Sequence, residues 1–159
     1  MADDESAGFR LPRGATGFHW PKDGPLPETT DVRAFRGALY AAARAAGGKV
    51  GELETRAYPR TFHTASVVDG AGERVVLCHA HHPWIAFAHV RRDWYDDEFA
   101  APPPWADVFA HAGFAVLTDV QLTAPLSTVD TSVLTRGEWR DIRFYGITAL
   151  GGVIFNAWD

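Results

Sequence analysis

The chain carries one cysteine, Cys78, in 159 residues. A single thiol excludes an intramolecular disulfide and every multi-cysteine zinc pattern. Cys78 stands among Val76, Leu77 and Ala80, the setting of a buried, inert thiol rather than a nucleophile. Long apolar runs are missing too, so no transmembrane helix is expected. The first ten residues, MADDESAGFR, lack the basic start and apolar stretch of a signal peptide, and a cytoplasmic protein without membrane association is expected. Positive charge is in deficit: Lys and Arg total 15 against 20 Asp and Glu, for a net charge of −5. No basic stripe exists for a nucleic-acid backbone, and the balance suits a basic protein partner better. The familiar catalytic signatures are also missing. There is no Gly-x-Ser-x-Gly elbow, phosphate-binding Gly-x4-Gly-Lys loop, Gly-x-Gly-x-x-Gly turn or His-Glu-x-x-His pair.

What is abundant is aromatic: six Trp, ten Phe and four Tyr. Rings of this kind fill cores first, and the remainder line pockets, partner-binding faces or a homodimer contact. With 47% apolar residues, the length suffices for one domain with its own core. The bias toward Ala, Gly, Arg and Pro suggests a GC-rich, bacterial genome.

Residues 1–28 alternate Pro12, Pro21, Pro25 and Pro27 with Gly8, Gly14, Gly17 and Gly24. This predicts an arm, disordered at its start, with Phe18, His19 and Trp20 docking on the body. Residues 29–159 form the domain. Thr29 or Thr30 caps a long helix to about Ala46, closed by Gly47-Gly48, with Val32, Phe35, Leu39 and Ala43 as its buried stripe. Thr61 to Val68 and Arg74 to Ala80 read as a hairpin around Asp69-Gly-Ala-Gly-Glu73. Trp84 to Val90 makes a third strand, Pro104 to Ala112 a short helix, and Phe114 to Leu117 another strand. Ser127 to Thr135 reads as a helix and Asp141 to Tyr145 as a strand, while the apolar ending from Thr148 fits either. The expected class is α+β: an antiparallel sheet of about five strands, with a β-meander core, packed against the 30–46 helix and shorter helices.

Two segments carry the candidate chemistry. The first is Arg74–Arg92, which holds four of the seven histidines. If the loop pairs Val68 with Arg74, paired residue numbers sum to 142, and His63 lies opposite His79 on one face, with Cβ atoms about 5 Å apart. His81 follows on that face. His63, His79 and His81 would then form a three-imidazole set able to hold zinc or iron. A loop one residue different would separate His63 from His79. Tyr58 and Arg60 lie close enough in sequence to share a cleft with His63 and His79 in acid–base chemistry on a small molecule. The run Gly72-x6-His79-x-His81 resembles the start of the first cupin motif, but Ile85, Ala86 and Phe87 occupy the region where that motif needs a glutamate, and the assignment is rejected.

The second segment is Asp93-Trp94-Tyr95-Asp96-Asp97-Glu98-Phe99. Trp94 and Tyr95 rimmed by Asp96, Asp97 and Glu98 could anchor a basic partner, the rings supplying buried area and the charges speeding encounter. The leading expectation is therefore a non-catalytic binding module, of immunity or inhibitor type, that needs no cofactor. The alternative is a histidine-based enzyme or small-molecule binder, with or without zinc or iron.

Overall fold

The computed structural model describes residues 9–18 and 28–158. The expected disorder of the first residues and the docking of His19 and Trp20 fall outside them. In chain order the elements are α1 (Val32–Ala46), β1 (Lys49–Val50), β2 (Phe62–Asp69), β3 (Gly72–His79), β4 (Trp84–Ala88), α2 (Asp107–His111), β5 (Ala115–Val116), α3 (Asp119–Leu122), α4 (Arg136–Phe144) and α5 (Leu150–Ile154). This is an α+β fold.

Helix α1 has 15 residues, an ordinary length rather than a long one. Phe35, Ala38, Leu39, Ala42 and Ala43 face inward at three- and four-residue spacing. The N-cap is Asp31, not Thr29 or Thr30: its carboxylate accepts from the N–H groups of Arg33 and Ala34. A carboxylate also complements the positive end of the helix dipole, which a hydroxyl does not. Gly47 takes the left-handed conformation (φ +68°), and Gly48 N–H returns to the Ala43 carbonyl at 2.8 Å. A Cβ would be strained at that φ.

The five strands lie in the order β1-β2-β3-β4-β5. The first four are antiparallel, as a meander requires, but β5 runs parallel to β4. Between β4 and β5 the chain crosses through residues 89–114 and α2, and such a crossover returns the next strand in the same direction. The sheet is therefore mixed rather than wholly antiparallel.

Both faces of the sheet are covered. One packs Ala65, Val67, Val76, Cys78, Ile85 and Phe87 against α1, Trp105 and Phe109. The other packs Phe62, Val75, Leu77, Trp84 and Ala86 against Leu11, Tyr95, Ile142 and α5. Double coverage explains why β3 reads as a continuous apolar run instead of an alternating one.

The C-terminal third departs most from the sequence expectation. Ser127–Thr135 holds only a 3-10 turn at Leu126–Thr128, and Asp141–Tyr145 is not a strand but mostly the end of α4. A capping box starts that helix: Thr135 accepts from Glu138 N–H, and Glu138 accepts from Thr135 N–H. Two backbone donors satisfied at once fix a helix start. The ending resolves as α5, buried over all five residues. Its Gly151 lies against Phe99 and the Leu122 carbonyl, where a Cβ would sit 2.2 Å from the Phe99 ring.

Candidate binding pocket

The position of the histidines follows from the β2–β3 register. Asp69 pairs with Gly72, so the turn contains only Gly70 and Ala71, and paired numbers sum to 141 along the whole hairpin. His63 is opposite Cys78, and His79 is opposite Phe62. The two imidazoles therefore point to opposite faces of the sheet, and the expected three-histidine cluster does not form. The expectation counted a turn one residue too long, and a one-residue slip inverts every side chain. Among the described residues no group of three His, Cys, Asp or Glu side chains is placed to hold a metal ion.

His63, on the α1 face, lies against Phe35 and accepts a hydrogen bond at Nδ1 from Arg56 N–H at 2.9 Å. Burial, with Arg56 and Arg60 nearby, lowers its pKa to about 4. His79, on the opposite face, is wholly buried. Its Nδ1 accepts from the N–H groups of His81 and His82, both at 3.1 Å, and its Nε2 donates to the Ala15 carbonyl at 2.8 Å. These partners fix a neutral ring protonated at Nε2, and burial lowers its pKa to about 3. Both ring nitrogens of His79 are thus engaged within the protein.

The neighbouring rings do related work. His82 stacks on Trp84 (4.5 Å between centroids) and bonds the Arg13 carbonyl, while His81 bonds the Glu28 carbonyl. His79, His81 and His82 together grip the backbone of the N-terminal arm at Ala15, Glu28 and Arg13. Side chains from distant elements hold the same arm. Thr16 Oγ donates to Glu138, and Asn156 Nδ2 donates to the Thr16 carbonyl.

Of the two residues expected beside the histidines, Arg60 is near His63 alone, whose ring is on the opposite side of the sheet from His79. Tyr58 is 78% exposed. Arg60 pairs with Glu54 at 3.5 Å, donates to the Thr55 carbonyl and lies over the Phe62 ring. Glu54 also faces Arg91.

The acidic-aromatic segment divides its residues. Tyr95 is buried, not presented to a partner: its ring packs on Phe62 and Phe99, and its hydroxyl donates to Val90 O at 2.7 Å while accepting from Arg92 N–H at 2.8 Å. Its own N–H reaches Phe155 O at 3.0 Å. This anchor ties the segment to the C-terminal tail and turns the preceding residue outward. Trp94 is 55% exposed. Asp97 and Glu98 are exposed, and Glu98 accepts from the N–H groups of Asp96 and Asp97. Although partial burial would raise it, those N–H donors with Arg92 hold the Glu98 carboxyl below the usual range. Asp96 goes the other way, raised by burial and by the charges of Asp97 and Glu98.

Trp94 meets Tyr145 and Trp158 around a cavity of about 130 Å³ whose wall is completed by Ile147, Gly152, Asn156 and Ala157. The rings of Tyr145 and Trp158 are parallel within 5°, with centroids 6.2 Å apart. Phe144, largely exposed, meets Tyr145 edge-on and extends the aromatic surface. Asn156 is locked in place: Nδ2 donates to Thr16 O and Val153 O, and Oδ1 accepts from Trp158 N–H. Tyr145, Asn156 and Trp158 were missed as site residues. Their only sequence signal is the aromatic excess, because the tail reads as simple core filling. Comparison with protein-family models, with curated proteins and with solved structures finds no match.

Proposed function

We propose that this chain is a non-catalytic binding module that captures a basic partner on the surface around Trp94, Tyr145 and Trp158. One observation carries the reading: the acidic-aromatic segment and the C-terminal tail, about 60 residues apart in sequence, converge on an aromatic cavity with the Asp96 carboxylate against its Gly152 wall. Half-exposed rings around a concavity supply buried area on contact. Asp93, Asp97 and Glu98 are exposed on the same segment and would accelerate encounter with a positively charged surface. The net charge of −5 acts in the same sense. An immunity or inhibitor role in the cytoplasm would suit such a module.

The test is retention of proteins from a cation-exchange fraction of the source cell, followed by a measured Kd for the retained basic protein. Reversing Asp97 and Glu98 to Lys should slow association and remove its salt dependence. Trp94→Ala should speed dissociation. Equal retention by the wild type and both variants would defeat the reading. So would a homodimer, seen by sedimentation, that Trp94→Ala dissociates, because the surface would then belong to a second copy.

A further inference from the structure

Resting on that reading of the pocket, we infer that the Trp94–Tyr145–Trp158 cavity receives a trimethylammonium group, presented as a trimethylated lysine side chain of the basic partner. The cavity has the composition for it. Trp94, Tyr145 and Trp158 supply the wall with Ile147 and Ala157, and among the described residues the wall has no carboxylate. Its one side-chain amide, that of Asn156, is committed to Thr16, Val153 and Trp158. A primary ammonium brings three N–H donors that must find acceptors when water is lost. A quaternary ammonium brings none, and its diffuse charge is attracted by aromatic faces.

Size agrees with composition. A cavity of about 150 Å³ accommodates benzene, and the 130 Å³ here is of the same order as a compact, branched group needs.

A counter-charge lies behind the wall. Asp96 Oδ1 is buried with no hydrogen-bond partner among the described residues, and it lies against Gly152, which lines the cavity. A buried carboxylate oxygen left unpaired is costly. A cation on the other side of Gly152 would offset that cost through space without asking the carboxylate for a hydrogen bond. The raised Asp96 pKa is consistent with this unmet charge.

The test is tryptophan-fluorescence titration of the full chain with an Arg-flanked peptide containing trimethyllysine, the same peptide unmodified, choline, and 3,3-dimethylbutan-1-ol, the uncharged isostere of choline. The trimethylated peptide should bind at least about tenfold tighter than the unmodified one, choline should bind saturably, and the isostere should not. Trp94→Ala should weaken the trimethylated peptide by about tenfold. Asp96→Asn, which keeps shape and removes charge, should weaken it severalfold. Urea midpoints for both variants check that the fold is intact.

Equal binding of choline and its isostere would overturn the inference, leaving only an apolar hole. Equal binding of both peptides would overturn it too. Choline as tight as the trimethylated peptide would overturn the polypeptide source and assign the pocket to a free small molecule. If the basic partner still binds through Asp97 and Glu98 while the trimethyl preference is absent, this inference fails and the binding-module reading stands.

Discussion

Asp96 and Gly152 lie so close that a Cβ on Gly152 would come within 2.8 Å of Asp96 Oδ1. The same atom would come within 2.8 Å of Ile147 Cγ2. The glycine is therefore what lets the acidic segment pack flat on α5 and form the back of the aromatic cavity. Gly152→Ala should cost about 1–3 kcal/mol through overpacking and should distort the pocket. Gly151→Ala should be at least as costly, since Phe99 and the backbone of Leu122 both obstruct it. Urea unfolding of the two variants measures this. A loss under about 0.5 kcal/mol in both would mean that α5 has room to move.

Stability should fall with acid because of the two buried histidines. His63 is held at about 4 and His79 at about 3 in the folded chain, against about 6.5 when unfolded. The unfolded state thus binds more protons between those values, so stability is full above about pH 6.5 and declines as the pH falls toward 4. At ~1.4 kcal/mol per unit for each group, the two together account for on the order of 5 kcal/mol between pH 7 and pH 4. Urea midpoints across that range should show the decline, and His63→Gln should remove roughly half of it. A profile as steep in the variant as in the wild type would assign the acid sensitivity to other groups.

The same histidines show how far the sequence could be read. The hairpin, its strands and the turn segment were all legible, because apolar β-branched residues flank a Gly-rich loop. The register was not. It turns on whether Val68 faces Glu73 or Arg74, a choice of one residue that Asp-Gly-Ala-Gly-Glu leaves open, and on it depends the face of His63. Helix α1 was legible for a stronger reason, a 3.6-residue stripe bounded by Asp31 and Gly47. Helix α4 carried its signal in Thr135 and Glu138, but only Glu138 and Ile142 are buried along it, so periodicity was weak. The pocket lay beyond sequence reading altogether. Its rings sit at 94, 145 and 158, and tertiary contacts such as the tether from Tyr95 to Phe155 and the packing of Asp96 on Gly152 bring them together.

Cys78 should be unreactive in the folded protein. It is fully buried beneath α1, and burial raises its thiol well above the ordinary range. Too little thiolate forms near neutrality to attack a disulfide reagent. Titration with an aromatic disulfide should find no reactive thiol under native conditions and one per chain in urea. Rapid labelling without denaturant would mean that α1 lifts from the sheet.

Asn156 joins the arm, the tail and the pocket wall, and its two possible replacements should behave differently. Asn156→Ala strips the donors from the buried carbonyls of Thr16 and Val153 and should cost about 2–4 kcal/mol. Asn156→Asp keeps the shape but points a carboxylate at those two carbonyls. Its charged form is disfavoured by burial and by the facing oxygens, so its folded pKa should rise above the ordinary 3.9. A raised carboxyl pKa means that the folded state binds more protons than the unfolded one. The deficit of Asn156→Asp relative to the wild type should therefore shrink as pH falls through that pKa, whereas the deficit of Asn156→Ala should not change with the carboxyl's titration. Paired urea midpoints at pH 7.5 and 5 distinguish the two. If both deficits keep the same size, the Asn156 amide does not donate to the Thr16 and Val153 carbonyls, and the arm is held by the histidines, Glu138 and the backbone of Asp130 without it.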